Sequence, residues 1–423
     1  MACEWTFHAL AGACAWHAAV NGNLQLLLSS WICGTLNDTI FMALPVLSAD
    51  NFWQSSCAAL NLTPRMPFYI THVYLVFLYA SAAAARRLRL PYASEAAFAG
   101  LAAHLLYAPY DVNGPRYLWW FWHDSDPAIR ARMANAPVAS SIWVLTFSAA
   151  HTALSRFVDD AGLSLARDVV RPALALVGDA LAPVPSPLAR AATSLASLVD
   201  RHALARLVRL PALAKVAVCG LLCPPLFVSV MSALQLASLD VLGVPAHRTY
   251  CATIAAYAAL LARAAALRHS AAPPLDARAA LSDRVLYRAL AAHYVVHLAV
   301  AALGDASAHV VTGCRQRVGR VGDAPARDLT AHEREETVVA PPEGGTPALY
   351  SKFDFAFVAR DEDGALDANG ERVVAPDPAD ELARDWYTVR GVPRPPRMGG
   401  RAAEVAAIAA FAAGGLSLFR VAW

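Results

Sequence analysis

Apolar runs of 17 to 25 residues recur along the first 310 positions, separated by shorter stretches that hold most of the charge. A helix needs about 20 such residues to cross a ~30 Å hydrocarbon core. On that criterion seven spans are expected, near 20–46, 66–85, 95–110, 137–157, 212–236, 249–268 and 286–306. The last run, AAEVAAIAAFAAGGLSLFRVAW, is interrupted by Gly414, Gly415 and Arg420. It reads as an eighth span or as a re-entrant or interfacial helix. The fold class expected is an all-α polytopic membrane protein.

The connections divide the chain further. Residues 1–157 form an N-terminal membrane region of four spans, and 212–306 a second one of three. Between them, 158–211 places apolar residues three and four apart with arginines opposite, the pattern of amphipathic helices lying on a cytoplasmic leaflet. Residues 307–400 are hydrophilic and mostly irregular, and 401–423 form an apolar C-terminal helix. Within the hydrophilic segment KFDFAFV (352–358) alternates over too few positions for more than one strand or hairpin arm. DEDGALDANGE (361–371) lacks the ligand spacing of an EF-hand and reads as an acidic turn.

Charge assigns an orientation. Alternate connections carry 16 basic residues against 5 in the intervening ones. With the basic loops in the cytoplasm, a first span beginning near residue 20 puts the N-terminus there too. Composition agrees with a membrane protein: 57% hydrophobic and 16% charged residues, where soluble domains average about 25% charged. The net charge of +2 neither calls for nor excludes an acidic partner, and no nucleic-acid partner is expected. Eight cysteines form no CxxC pair, which points away from a disulfide framework or a zinc ribbon.

Polar groups inside a bilayer are costly, so their positions are the best guide to function. Asn37 and Asp38 lie inside the first apolar run, His72 and His104 in the next two, and His151 in the fourth. Packing amides are common between helices, whereas a buried carboxylate such as Asp38 asks for a further reason. His293 and His297, in HYVVH, share one helix face at i and i+4. That is a spacing by which a helix offers two imidazoles to a divalent metal, although it also suits a hydrogen-bonded packing site. No dinucleotide fingerprint, Walker loop or nucleophile elbow occurs, so no cofactor-binding motif is assigned.

The stretch YAPYDVNGPRYLWWFWHDSDP (107–127) concentrates chemistry. Asp111 ends the third span, Gly114-Pro115 turns the chain, and Trp119, Trp120 and Trp122 suit an interfacial aromatic belt. Ser125 or Asp126 before Pro127 can cap a helix. Asp111, His123, Asp124 and Asp126 remain as candidate catalytic groups, an acid/base set or oxygen and nitrogen ligands for a cation. Asp50 and His72 are expected on the same side, so several connections bring acids, histidines and tryptophans to one rim.

That run, together with SADNFWQSSCAALNLTPRMPFYI (48–70), APVASSIW (136–143) and AAHYVVHLAV…ASAHVVTG (291–313), resembles a family of uncharacterised multipass membrane proteins of unicellular eukaryotes, described only as a domain of unknown function. The resemblance covers roughly residues 5–313 and implies a shared membrane fold without an activity. Asp111, Trp119 to Trp122, Pro137 and Trp143 also resemble, more faintly, the carotenoid hydratase-like membrane family, with Ala136 where that family has glycine. A likeness to seven-span zinc hydrolases fails, because no span has the serine four residues before its histidine: Phe68, Gly100 and Phe147 stand there.

Three functions are therefore weighed. One is an enzyme embedded in the bilayer that acts on a lipid or isoprenoid at a rim pocket of Asp, His and Trp. Another is a non-enzymatic scaffold that uses 158–211. The third is a transporter.

Overall fold

The structure, a computed structural model, describes residues 2–43, 52–54, 59–63, 66–117, 119–122, 132–133, 136–161, 211–235, 242–266, 277–304, 310–316, 328–329, 352–354, 360–361, 364–366, 372–373, 386–390 and 401–423. Among the described residues nine long helices pack together: α1 (Ala2–Val20), α2 (Leu24–Ala43), α3 (Phe68–Arg87), α4 (Tyr92–Arg116), α5 (Val138–Arg156), α6 (Ala212–Gln235), α7 (Ala246–Ala266), α8 (Ala277–Leu303) and α9 (Arg401–Ala422). Six of them, α3 and α5 to α9, are long and apolar enough to cross a membrane. The protein is an all-helical integral membrane protein.

Helix α3 is the hub. It touches α1, α2, α4, α5 and α9, and 89% of its apolar window is buried. A helix apolar on every side belongs in the middle of a bundle. Helices α6 to α9 are about a third buried or less over the same window, which leaves most of their apolar surface for lipid.

Three helices begin directly after a proline, Pro67, Pro91 and Pro137, each with ψ between 136° and 150°. Such a residue cannot prolong a preceding helix, yet its carbonyl can open the next one, as Pro91 does for the Glu95 N–H at 2.8 Å. Two prolines sit inside α4, Pro109 and Pro115. Pro109 has no N–H to give the Leu105 carbonyl four residues back, and Tyr294 of α8 donates its hydroxyl to that oxygen instead, at 3.1 Å.

Two expectations are corrected here. Residues 2–20, which carry Glu4, His8 and His17 and were assigned no span, form α1. It is a full helix packed on α2, α3 and α8. Gly114 and Pro115 do not turn the chain either, since α4 continues through them to Arg116. The glycine serves close approach instead, because a Cβ there would overlap the indole of Trp120.

The C-terminal run forms one helix, α9, against α3, α4 and α8. In the hydrophilic segment the described backbone includes a four-stranded sheet. The described strands are, in chain order, β1 (Phe52–Gln54), β2 (Asn61–Thr63), β3 (Met66–Pro67), β4 (Trp120–Trp122), β5 (Arg132–Met133), β6 (Ala136–Pro137), β7 (Val310–Gln316), β8 (Asp328–Leu329), β9 (Lys352–Asp354), β10 (Arg360–Asp361), β11 (Gly364–Leu366), β12 (Arg372–Val373) and β13 (Trp386–Arg390), and this sheet has the order β8-β13-β7-β9. Of the stretch 158–211, where amphipathic helices are expected, residues 162–210 lie outside the described residues.

Candidate functional site

Polar side chains gather at the two ends of the bundle, and the ends differ in kind. The helix directions follow from contacts: Phe7 meets Tyr69 and His293, while His17 meets Tyr79 and Asp283. Helix α1 therefore runs beside α3 and against α8.

One end, that of His17, is a network of hydrogen bonds and ion pairs. His17 Nδ1 lies 2.7 Å from the Tyr79 hydroxyl and its Nε2 2.9 Å from Asp283 Oδ1. Asn21 donates to Ser282 at 2.9 Å and to the His17 carbonyl. Arg86 and Lys215 both face Asp159, and Arg156 pairs with the buried Glu95. Both ring nitrogens of His17 have partners, as befits a network that fixes one packing arrangement.

The opposite end is where the sequence places a rim site. The connections before α3 and after α4 pair there. Strand β1 (Phe52–Gln54) runs antiparallel to β4 (Trp120–Trp122), with Phe52 opposite Trp122. Two of the expected converging connections are thus joined by backbone hydrogen bonds.

Inside this end lie two carboxylates. Tyr74 donates to Asp38 Oδ1 at 2.5 Å, and Ser140 donates to Asp111 Oδ2 at 2.8 Å. Tyr107 stands one helical turn before Asp111 on α4 and so shares its helix face. The rings of Tyr74 and Tyr107 are both covered by Trp143, at 5.6 and 6.4 Å. Asp38 and Asp111 are buried. Gly34 lets α2 approach the Tyr74 side chain closely enough for the Asp38 bond, since a Cβ there would overlap it. Asp38 Oδ2 has no partner among the described residues.

Next to this acid patch, across Tyr110, lies a second one. Tyr110 stands edge-to-face with both Tyr107 (5.4 Å) and His297 (6.2 Å). His293 and His297 face each other with centroids 4.5 Å apart. Thr6 reaches His293 Nδ1 at 2.8 Å, and Asn113 reaches His297 Nδ1 at 3.1 Å. Among the described residues no group of three or more His, Cys, Asp or Glu side chains is placed to hold a metal. The expected metal pair therefore has no third ligand of those kinds there.

Other expected residues are dispersed. His72 bonds His8 through their Nδ1 atoms at 2.8 Å, with Glu4 3.9 Å beyond. His104 sits elsewhere, bonded to Tyr250 of α7 at 2.9 Å. His151 faces Ser29 at 3.3 Å. Trp120 is only 2% exposed and stacks on Tyr110 at 4.2 Å, so it is part of the core and not of an interfacial belt. Asp50, His123, Asp124 and Asp126 lie outside the described residues.

Five groups of this end were not anticipated from the chain: Thr6, Tyr74, Tyr107, Asn113 and Ser140. The tyrosines carried one available signal, since Tyr107 stands four residues before Asp111 and therefore on its helix face.

Residues 1–162 match the family model of a domain of unknown function, DUF7802. The matched part holds α1 to α5 and with them both carboxylates, whereas His293 and His297 lie beyond it. No curated protein and no solved structure matches the chain.

Proposed function

We propose that this membrane protein is an enzyme that performs acid–base chemistry on a lipid or isoprenoid, at the acid patch of α2 to α5. One observation carries the reading: two buried carboxylates from different helices, each bonded to a hydroxyl, with tyrosines between them. Interhelical packing can be had from amides at far lower desolvation cost, so carboxylates retained at such depth are functional groups by default. Asp111 is the proton acceptor in this scheme, with Tyr107 as the hydroxyl that exchanges a proton with it. Asp38, held by the Tyr74 hydroxyl at Oδ1, is a second acceptor through Oδ2.

The bilayer is the partner of α6 to α9, and it also delivers the substrate. His123, Asp124 and Asp126 follow directly on β4 in the chain and are retained as candidates at the mouth. The Arg86–Arg156–Lys215 end is assigned to the cytoplasm. Because α1 runs the same way as α3, with Phe7 beside Tyr69 and His17 beside Tyr79, residue 2 then belongs on the opposite side, with the acid patch, in place of the cytoplasmic N-terminus expected from a first span near residue 20. A tag ahead of Met1 that is protected from protease in sealed, cytoplasm-out vesicles supports this orientation, and one that is cleaved reverses it.

The activity itself is tested by comparing the lipids of cells with and without the protein. One lipid or isoprenoid class is expected to accumulate on loss, with its product depleted. An unchanged profile contradicts the proposal.

A further inference from the structure

The imidazole patch carries an inference that does not depend on any activity at the acid patch. The hydrogen bonds fix the tautomer of each ring. Thr6 donates its hydroxyl hydrogen to the Cys3 carbonyl at 2.6 Å. Its oxygen can therefore only accept from His293, whose Nδ1 must carry the hydrogen. In a neutral imidazole the other nitrogen, Nε2, is then a bare acceptor.

His297 is fixed the other way. The Asn113 amide donates through Nδ2 to the His297 carbonyl at 3.0 Å, which sets its orientation because a carbonyl only accepts. The same Nδ2 faces His297 Nδ1. That nitrogen accepts, so Nε2 of His297 bears the hydrogen.

Both Nε2 atoms are buried and make no hydrogen bond of ordinary geometry among the described residues, although the Pro109 carbonyl of α4 lies close enough to the His297 ring to interact with it. The residues themselves are 1% and 0% exposed. Leaving such groups unpaired forfeits their hydration without return, and an unsatisfied buried polar atom calls for an explanation, a bound ligand or water among them. A metal ion needs a lone pair from each ring, and His297 offers a hydrogen instead. A hydroxyl fits both: its oxygen accepts from His297 and its hydrogen goes to His293.

We infer that His293 and His297 form a hydroxyl-binding site, walled by Phe7, Tyr110 and Trp119. Phe7 stands edge-on to His293 at 4.6 Å, and Trp119 lies 6.0 Å from His297. The hydroxyl comes from a long-chain alcohol dissolved in the bilayer or from a single water, which would also have Asn113 Oδ1 to donate to.

The test is a high-resolution structure of the full-length protein in lipid nanodiscs, with and without hexadecanol, alongside elemental analysis of the same preparation. Density is expected within hydrogen-bonding distance of both Nε2 atoms. A peak that runs on into a chain, present only with hexadecanol, identifies the alcohol. An isolated peak in both samples identifies water. His293→Phe keeps a ring but removes the acceptor, and should lose the density. Thr6→Val, which perturbs less, should lower its occupancy if the first variant does not fold. Empty space between the rings, or a stoichiometric metal bound to both Nε2 atoms, overturns the inference.

Discussion

Tyr74 of α3 donates its phenolic hydrogen to Asp38 of α2 across 2.5 Å, deep in the bundle. This bond joins a carboxylate that the sequence marks as costly to a tyrosine that nothing in the sequence links to it. Removing the hydroxyl by Tyr74→Phe leaves Asp38 without its donor. Interhelical hydrogen bonds in membrane proteins average ~0.6 kcal/mol, and an orphaned buried acceptor adds more, so a loss of about 1–2 kcal/mol is expected. Thermal unfolding in detergent measures it. Asp38→Leu combined with Tyr74→Phe should cost less than the sum of the two single changes, because the second change finds no bond left to break.

The glycines of α1 and α4 predict opposite responses. A Cβ on Gly114 would collide with the Trp120 indole, so Gly114→Ala should destabilise by about 1–3 kcal/mol through overpacking. It should also change the tryptophan fluorescence, since Trp120 is buried. Gly12, in mid-α1, has nothing within 4 Å of the equivalent position. Gly12→Ala should stabilise by about 0.5–1 kcal/mol through helix propensity. Equal effects at both sites would contradict the packing described for Trp120.

Helix α9 is held to α4 by a buried ion pair between Arg116 and Glu404, whose side chains are 2% and 1% exposed. Breaking a buried pair from one side costs about 3–5 kcal/mol, because the remaining charge is left uncompensated. Arg116→Met should therefore release α9 and make its flanking chain sensitive to protease. Replacing both partners, Arg116→Met with Glu404→Leu, should recover most of the lost stability.

The membrane class was legible in the apolar run lengths, which need only local sequence. Of the expected rim, the pairing of β1 with β4 joins two of the connections expected to converge, while Asp50, His123, Asp124 and Asp126 lie outside the described residues. Helix α1 was not legible, because Glu4, His8 and His17 lower its apolar signal. Each has a partner far along the chain or across the bundle, such as Asp283 for His17 and His72 for His8. Gly114-Pro115 carries a turn signal that α4 overrides. The spacing of HYVVH was visible, but its chemistry depends on Thr6 and Asn113, 287 and 184 residues away. Only the folded chain brings those hydrogen-bond partners together and sets which nitrogen carries the hydrogen.

The hydrogen-bonded network at the His17 end supplies a control for the acid patch. Asp283→Asn weakens the bond to His17 without touching Asp111 or Tyr107, so it should lower thermal stability while leaving any activity of the folded protein unchanged. A variant that stays fully stable would contradict the structural role given to this network.

The central claim is that Asp111 does chemistry, not only packing. Its most direct test is the lipid profile of cells lacking the protein and complemented with the wild type, Asp111→Asn or Asp283→Asn, at matched levels of folded protein. The amide keeps the shape of the side chain and can still accept from Ser140, but it cannot take up a proton. The account predicts that wild type and Asp283→Asn restore the profile and that Asp111→Asn does not. Full restoration by Asp111→Asn would contradict it.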